Sequence, residues 1–350
     1  MVTYALLQNP GHNRVYYEQS RPMALAELRI AADGAGFACE NARVAPIAGV
    51  PYFLFDTPAP LSERALRRVC GLSFLYAIYQ AEDGGAQLRP VARTDAPYAD
   101  EGIGRILKYT GKTNELFTRM LLHLAVEASD YGDLPPAELW LLDPVMGKGT
   151  TLFEGLVRGY NGCGIEVGEQ PVREAVQYLK KYLEREKYKH SYKLQRQSGA
   201  AGTSGAFRAV RHSFTLAPTK ERMKEDSRTL ELICANSMYA DRLFRKNTFH
   251  ILAGDLPYGV KHGNVTAENQ SAATRNPKQL LETCLPAWHS VLKRGGALAL
   301  SWNVFVLPRA QVSALLADAG FTVKDGGPWL EFAHRVDQSI CRDIIVARKE

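Results

Sequence analysis

Apolar residues recur along this chain in two rhythms, and the point where one gives way to the other divides it. Up to about residue 100, short runs such as "TYALLQ" (3–8), "PYFLFDT" (51–57) and "LSFLYAIYQ" (72–80) have the length and the aromatic and β-branched content of strands. Among them lies one helical stretch, "MALAELRIAADGAG" (23–36), which ends in glycines. This predicts a small α+β domain over 1–100. The polar, Pro- and Gly-bearing segment "RPVARTDAPYADEGIG" (89–104) is the expected connector. Beyond it, "TNELFTRMLLHLAVEAS" (113–129) carries apolar residues at helical spacing, with Thr113 or Asn114 as the cap and Glu115 in the first turn.

From there strand and helix alternate: "ELWLLDP", "TTLFEGLVRGY", "GCGIEV", "EQPVREAVQYLKKYLEREK", then "LELICANS", "FHILAGD", "PKQLLETCLPAWHSVLKRGG", "ALALSWN" and "RAQVSALLADAG". That order implies parallel strands joined by right-handed crossovers. The last two strand-like runs, "FTVKDGG" and "SICRDIIVARK", are separated by a loop and not a helix, which predicts an antiparallel addition. The expected fold class is therefore α/β, a doubly wound Rossmann-like sheet over 101–350, mostly parallel with the last strand antiparallel. The Gly-, Ser- and Ala-rich stretch "RQSGAAGTSGAF" (196–207) interrupts the alternation and predicts a mobile basic insertion near 185–228. There is no internal repeat.

Charge sharpens this picture in one place. The net charge is only +6, yet residues 178–224 hold twelve Lys/Arg against three Glu, while residues 1–100 hold nine arginines, no lysine and ten acids. A basic segment inside a balanced protein fits a phosphate-rich partner, because neutralising phosphates releases counterions. Lys187, Lys189, Lys193, Arg208 and Arg211 are the candidate nucleic-acid contacts; a solvated helix face plus a loop is the plainer alternative. The six cysteines are scattered without a CxxC pair, so neither a zinc site nor a disulfide framework is expected. No apolar run is long enough to cross a bilayer and no signal-peptide order opens the chain, so a cytoplasmic location is expected.

Parallel sheets bind ligands at the carboxyl ends of their strands, so the loops there are where chemistry belongs. In "LLDPVMGKGTTLFEG", Gly147 and Gly149 follow a strand and open a helix, which allows close backbone approach and leaves free N–H groups at the helix start. A P-loop is excluded, since Lys148 lies between the glycines. A tight strand-to-helix turn is the plainer reading of the glycines; about twenty residues on, Glu166 ends the next strand, either as a solvated strand-end acid or as an acceptor for both ribose hydroxyls of an adenosine-type cofactor. Asn236 follows a further strand as an amide for an adenine edge or as a turn residue. "DLPYG" (255–259) puts Asp255, Leu256, Pro257 and Tyr258 after an apolar run, either as a strand-ending turn or as a site. His123 reads as a packed helix histidine, Lys261 and His262 as solvated loop residues, and the tryptophans as core, with Trp302 the candidate exception at a strand end.

"DPVMGKGTTLFEG…GIEV…DLPYG" resembles the class I S-adenosylmethionine-dependent methyltransferases that modify exocyclic amino groups, in their order of cofactor loop first and catalytic loop second. Within them it is most similar to the THUMP-associated tRNA guanosine-N2 methyltransferases, over residues 105–350. It departs at Val145, Met146 and Lys148, and the first hundred residues carry no recognisable THUMP domain. The resemblance implies S-adenosyl-L-methionine as cofactor, held by Asp143, Pro144, Gly147, Gly149, Thr150, Glu166 and Asn236, with Lys112, Thr113 and Asn114 in the place of a preceding cofactor segment. It implies that Asp255 and the Leu256 carbonyl hold the target amine, that Pro257 stiffens the loop and that Tyr258 stacks on the base. The expected partner is RNA, most closely tRNA, with room for a small activator subunit; no metal and no membrane are expected. Methylation of DNA adenine or cytosine, or of protein glutamine, is the alternative chemistry, and a non-catalytic RNA-binding module the alternative class.

Overall fold

The computed structural model describes residues 1–11, 14–105, 112–199, 207–258 and 276–350. The chain divides into two compact units, Met1–Ala96 with Asp325–His334, and Pro97–Lys324 with Arg335–Glu350. In the first, β1 (Val2–Gln8), α1 (Arg14–Gln19), α2 (Arg21–Ala35), β2 (Glu40–Ile47), β3 (Val50–Thr57), α3 (Glu63–Cys70), β4 (Leu75–Glu82) and β5 (Gln87–Val91) follow one another. The strands form an antiparallel sheet in the order β2-β3-β1-β4-β5. The period-2 alternation of β1 explains the layering: Tyr4 and Leu6 join Leu28, Phe53, Phe55 and Val69 in one cluster, while Ala5 sits with Tyr52 and Leu54 in another. The helix expected over 23–36 is α2. Helices α1 and α3 were not read from the pattern, although the cap of α3 was there to be seen: the Ser62 hydroxyl accepts from the Ala65 amide at 3.2 Å.

The second unit runs α4 (Gly102–Arg105), α5 (Glu115–Ala128), β6 (Trp140–Asp143), α6 (Thr150–Val157), β7 (Asn161–Glu166), α7 (Glu169–Arg185), β8 (Lys189–Gly199), β9 (Phe207–Ala217), α8 (Lys220–Glu225), β10 (Arg228–Cys234), α9 (Ala240–Leu243), β11 (Phe249–Asp255), α10 (Pro277–Val291), β12 (Leu292–Asn303), α11 (Arg309–Asp318) and β13 (Phe321–Val323). After β14 (His334–Arg335) it closes with β15 (Cys341–Lys349). The sheet path is β13-β15-β12-β11-β6-β7-β10-β9-β8. Its five middle strands are parallel to one another. Taken in chain order as first to fifth, they lie 3-2-1-4-5, the doubly wound order whose crevice opens between the first and fourth strands, here β6 and β11. Side chains from both sides of that seam, Leu142, Ile165, Leu252, Leu298, Leu300 and Trp288, belong to one buried core.

Two expectations need correction. The antiparallel last strand is present, β15 lying against β12, but it is not the sole antiparallel element. The basic segment does break the strand-helix alternation, but as strands and not as a loop, which was not read: β8 and β9 pair from Lys189↔Ala217 to Gly199↔Phe207, and β9 pairs antiparallel with β10, so the segment extends the sheet at its edge. The physical reason is visible in β9, where Phe207, Ala209, Phe214 and Leu216 are buried while every residue of β8 except His190 and Gly199 is exposed. Residues 200–206, the middle of the Gly/Ser/Ala stretch, and Lys261 and His262 lie outside the described residues. No helix among the described residues is long and apolar enough to cross a membrane.

Candidate active site

The carboxyl ends of β6, β7, β10 and β11 bring together the loops that the pattern singled out. After β6, the chain makes a turn in which the Met146 carbonyl accepts from the Gly149 amide at 2.7 Å. Gly147 and Gly149 have φ of 52° and 88°, left-handed backbone that favours glycine, and the place of a side chain on Gly147 is open space. Met146 turns inward: a Cβ added to Gly164 would meet its sulfur at 2.5 Å, so the thioether fills the groove that Gly164 leaves in β7. Lys148 turns away and pairs with Glu174 of α7 at 2.6 Å. Of the three departures from the resembled pattern, Met146 is thus a core residue, Lys148 forms a surface ion pair, and Val145 packs against the buried core. Thr150 opens α6 and is buried.

Asp143 ends β6 almost fully buried, its Oδ1 accepting from the Val145 amide at 3.0 Å. Burial pushes its carboxyl up to about 7, helped by the nearby charges of Asp255 and Glu166 and opposed by the Val145 amide and the Thr151 hydroxyl. Glu166 ends β7, half-buried, with Oε2 accepting from Gly147 N at 3.2 Å and Oε1 from Gly168 N at 2.8 Å. One backbone donor per oxygen fixes the carboxylate and leaves each oxygen a second lone pair. Asn236 follows β10 and caps a short helical turn, its Oδ1 accepting from Met238 N at 3.0 Å, so the turn reading holds for its oxygen.

Asp255 ends β11, next to β6 in the sheet, and collects hydroxyl donors. Ser301 of β12, its register partner, donates to Oδ1, Thr113 donates to Oδ2, and the Tyr258 hydroxyl lies 2.7 Å from both oxygens. The Arg342 guanidinium, from β15, comes to 4.0 Å of Oδ2 and packs over the rings of Phe117 and Tyr258 at 4.6 and 5.0 Å. Burial and the Asp255 charge raise the Tyr258 phenol well above the ordinary tyrosine value, so its hydroxyl stays a neutral donor to the acid. Leu256 is buried and its amide donates to the Ser301 carbonyl at 2.8 Å, which ties the loop to β12; Pro257 biases the Leu256 backbone to an extended form.

Of the remaining candidates, Asn114 and not Thr113 caps α5, accepting from Leu116 N at 2.9 Å, and Lys112 is held by Glu115 and by the Gly104 carbonyl at 2.5 Å. Lys187, Lys189, Lys193 and Arg208 are exposed. Arg211 is a correction: it is paired with Glu231, donates to the Leu243 carbonyl at 2.9 Å and lies over Phe244, so its charge is spent inside the protein. Trp302 is also a correction, fully buried with its indole N–H on the Leu307 carbonyl at 2.7 Å. His123 is buried and 3.2 Å from Glu127, a packed histidine as read. Sequence reasoning missed Ser301 and Arg342. Ser301 carried a faint signal as the polar residue ending an apolar strand; Arg342 carried none, because its strand joins the site only through the antiparallel pairing.

The raised Asp143 carboxyl gives a testable pH dependence. Its folded value lies above the unfolded one, so the unfolded chain ionises first; stability is highest near or below pH 3.8 for this group and falls as pH rises towards 7. The displacement from 3.8 to about 7 corresponds to roughly 4 kcal/mol. Asp143→Asn is expected to raise the thermal midpoint above pH 7 and to flatten its pH dependence between pH 4 and 7, measured by melting across a pH series without ligand.

No protein-family model matches the chain. No curated protein sequence matches it either. Among solved structures, similarity extends to a TehB-like SAM-dependent methyltransferase from Corynebacterium glutamicum, at 11% identity and a TM-score of 0.35, covering 65% of this chain and 88% of that one. An rRNA methylase from Streptococcus thermophilus matches at 14% identity and 0.33, covering 65% and 96%. Magnesium protoporphyrin IX methyltransferase from Synechocystis PCC 6803, with bound SAM, matches at 13% and 0.37, covering 72% and 93%.

Proposed function

We propose that this protein is an S-adenosyl-L-methionine-dependent methyltransferase acting on an exocyclic amino group of a nucleobase in RNA, with guanosine N2 in tRNA the best-fitting target, as in the THUMP-associated family that its motifs resemble. The observation that carries the reading is the juxtaposition of the glycine loop and Glu166 with the Asp255 loop across the β6–β11 switch point. The donor set suits the cofactor. Glu166 has lone pairs for two ribose hydroxyls, exposed Val167 beside it offers an apolar face to a base, and the amide nitrogen of Asn236 is left for an adenine edge. Glu166 and Asp255, whose charges both reach buried Asp143, lie on the two sides of the crevice and suit a cationic sulfonium.

When bound, the cofactor would supply an electrophilic methyl group to the amine nitrogen and be left as a thioether, while the proton the nitrogen loses passes to the Asp255 carboxylate that accepts its N–H bond and from there to solvent. The protein's part is orientation. An amine conjugated to a purine is a poor nucleophile because its lone pair is delocalised; Asp255 and the Leu256 carbonyl accept its two N–H bonds and leave the lone pair pointing at the methyl carbon. Holding the reactants in line supplies much of the acceleration. A paired base cannot reach such a site, so the nucleotide is flipped out or already single-stranded.

Incubation with labelled S-adenosyl-L-methionine and bulk tRNA, followed by mass analysis of nucleosides, tests the proposal. N2-methylguanosine is the expected product. Label appearing only in DNA or protein would overturn the RNA assignment, and absence of cofactor binding by calorimetry would overturn the whole reading.

The β8–β9 edge is the proposed phosphate-binding surface, with Lys187, Lys189, Lys193 and Arg208 retained as its candidate residues. Replacing Lys189, Lys193 and Arg208 together by Gln is expected to weaken tRNA binding and to lower the slope of log affinity against log salt by about 0.7–0.9 for each phosphate that is no longer neutralised. Filter binding over a salt series measures it. An unchanged slope would leave the hairpin as a solvated edge.

A further inference from the structure

Phe305 is 61% exposed and Val306 41%, in a turn that the chain takes care to hold. The Asn303 side-chain oxygen accepts from the Phe305 amide at 3.2 Å and the Cys341 amide at 3.1 Å, while its nitrogen donates to the Ser339 carbonyl at 3.0 Å. The Asn303 carbonyl accepts from Val306 N at 3.0 Å, and the Val304 amide donates to the Cys341 carbonyl at 2.8 Å. Buried Trp302 closes the other side through Leu307. The ring is therefore exposed on a turn already fixed by these hydrogen bonds, so a ligand that stacks on it need not first order the loop.

The turn lies at the ligand end of the parallel sheet. It leaves the carboxyl end of β12, where Ser301 is the register partner of Asp255 and Asn303 that of Arg342. At about 3.3 Å per residue, the turn begins roughly 7 Å beyond Ser301 along the strand. Tyr258, meanwhile, has its hydroxyl on Asp255 and the Arg342 guanidinium over its ring, so it is occupied as a positioning group for the acid.

We propose that Phe305 is the substrate-stacking residue of this site: its ring takes the face of the extruded nucleobase whose amino group Asp255 holds, and Tyr258 acts behind the acid. This rests on the functional reading above and goes beyond it by moving the stacking role from the catalytic loop to the turn after β12. A planar heteroaromatic amine is the ligand class that both parts select. The acid takes the amine's N–H bonds, and the aromatic face takes any base without reading its sequence.

Two measurements separate this from the parent reading. With labelled cofactor and bulk tRNA, Phe305→Ala and Phe305→Leu are expected to lower kcat/KM for RNA about 10- to 100-fold with cofactor affinity unchanged, and Phe305→Trp to recover most of the loss. The emission of the Phe305→Trp protein, read against the wild type with its own tryptophans, is expected to be quenched saturably as bulk tRNA is added. A wild-type rate for Phe305→Ala, or recovery by Leu as full as by Trp, would overturn the stacking role. If the wild type binds the cofactor but methylates no RNA nucleoside, the functional reading falls and the emission titration alone decides: quenching sustains base stacking at Phe305, and its absence overturns it.

Discussion

Asp255→Ala is expected to abolish methyl transfer to RNA while leaving affinity for S-adenosyl-L-methionine within a few fold of the wild type. The carboxylate ends β11 on the substrate side of the switch point; its oxygens accept from the hydroxyls of Thr113, Ser301 and Tyr258 and not from the glycine loop, and three donors leave it room for one more. Its interactions matter where the amine nitrogen becomes tetrahedral, so its loss falls on kcat and kcat/KM together. Asp255→Asn is the informative companion, since it keeps one acceptor oxygen, and is expected to retain a measurable residue of activity. Tyr258→Phe removes a donor at 2.7 Å and keeps the ring; it should slow transfer by less than Asp255→Ala, because Thr113 and Ser301 still hold the acid. Single-turnover transfer and calorimetry, run on the same preparations, check these outcomes. An Asp255→Ala protein that methylates at the wild-type rate would return "DLPYG" to a strand-ending turn.

The second large effect is expected at Glu166. Two ribose hydroxyls donating to a carboxylate are charge-assisted bonds worth about 1.5–3 kcal/mol each, so losing both should weaken cofactor binding by at least about 100-fold. Glu166→Ala also frees the amides of Gly147 and Gly168, which now donate to it, so part of the loss will come from a looser glycine loop. Glu166→Gln separates the two contributions: it retains an oxygen for the loop but loses one acceptor and the charge, and an intermediate affinity is expected. Thermal melting of each variant with and without cofactor guards against mistaking unfolding for weakened affinity. Equal binding by wild type and Glu166→Ala would remove the basis for placing the ribose there.

Much of the second unit was legible because its signals are local. The apolar runs that became β6, β7, β10, β11 and β12 are bounded by the residues that end them, and the crossover helices carry a 3.6-residue period. Asp143, Glu166 and Asp255 could be picked out because each stands directly after such a run, at the end of the strand where a parallel sheet binds ligands. In the first unit, α3 escaped because its eight residues hold three arginines, and its apolar stripe is too short to stand out.

What the sequence determined by itself was the alternation of elements, the parallel core and the loops in which chemistry would lie, since those depend on neighbours within a few positions. The tertiary structure alone decided which loops meet and which side chains are already engaged. It put Arg342 beside Asp255, because β15, far along the chain, turns back against β12. It took Arg211 out of the basic surface, since β9 lies next to β10 and its guanidinium meets Glu231 there. It turned the Tyr258 hydroxyl onto the acid and left Phe305 in water, a difference no pattern of apolar and polar positions can encode, because both are aromatic residues in loops after buried strands. Periodicity fixes which side of an element faces the core; partners across the sheet are set by strand order and register, which arise only when distant segments are packed together.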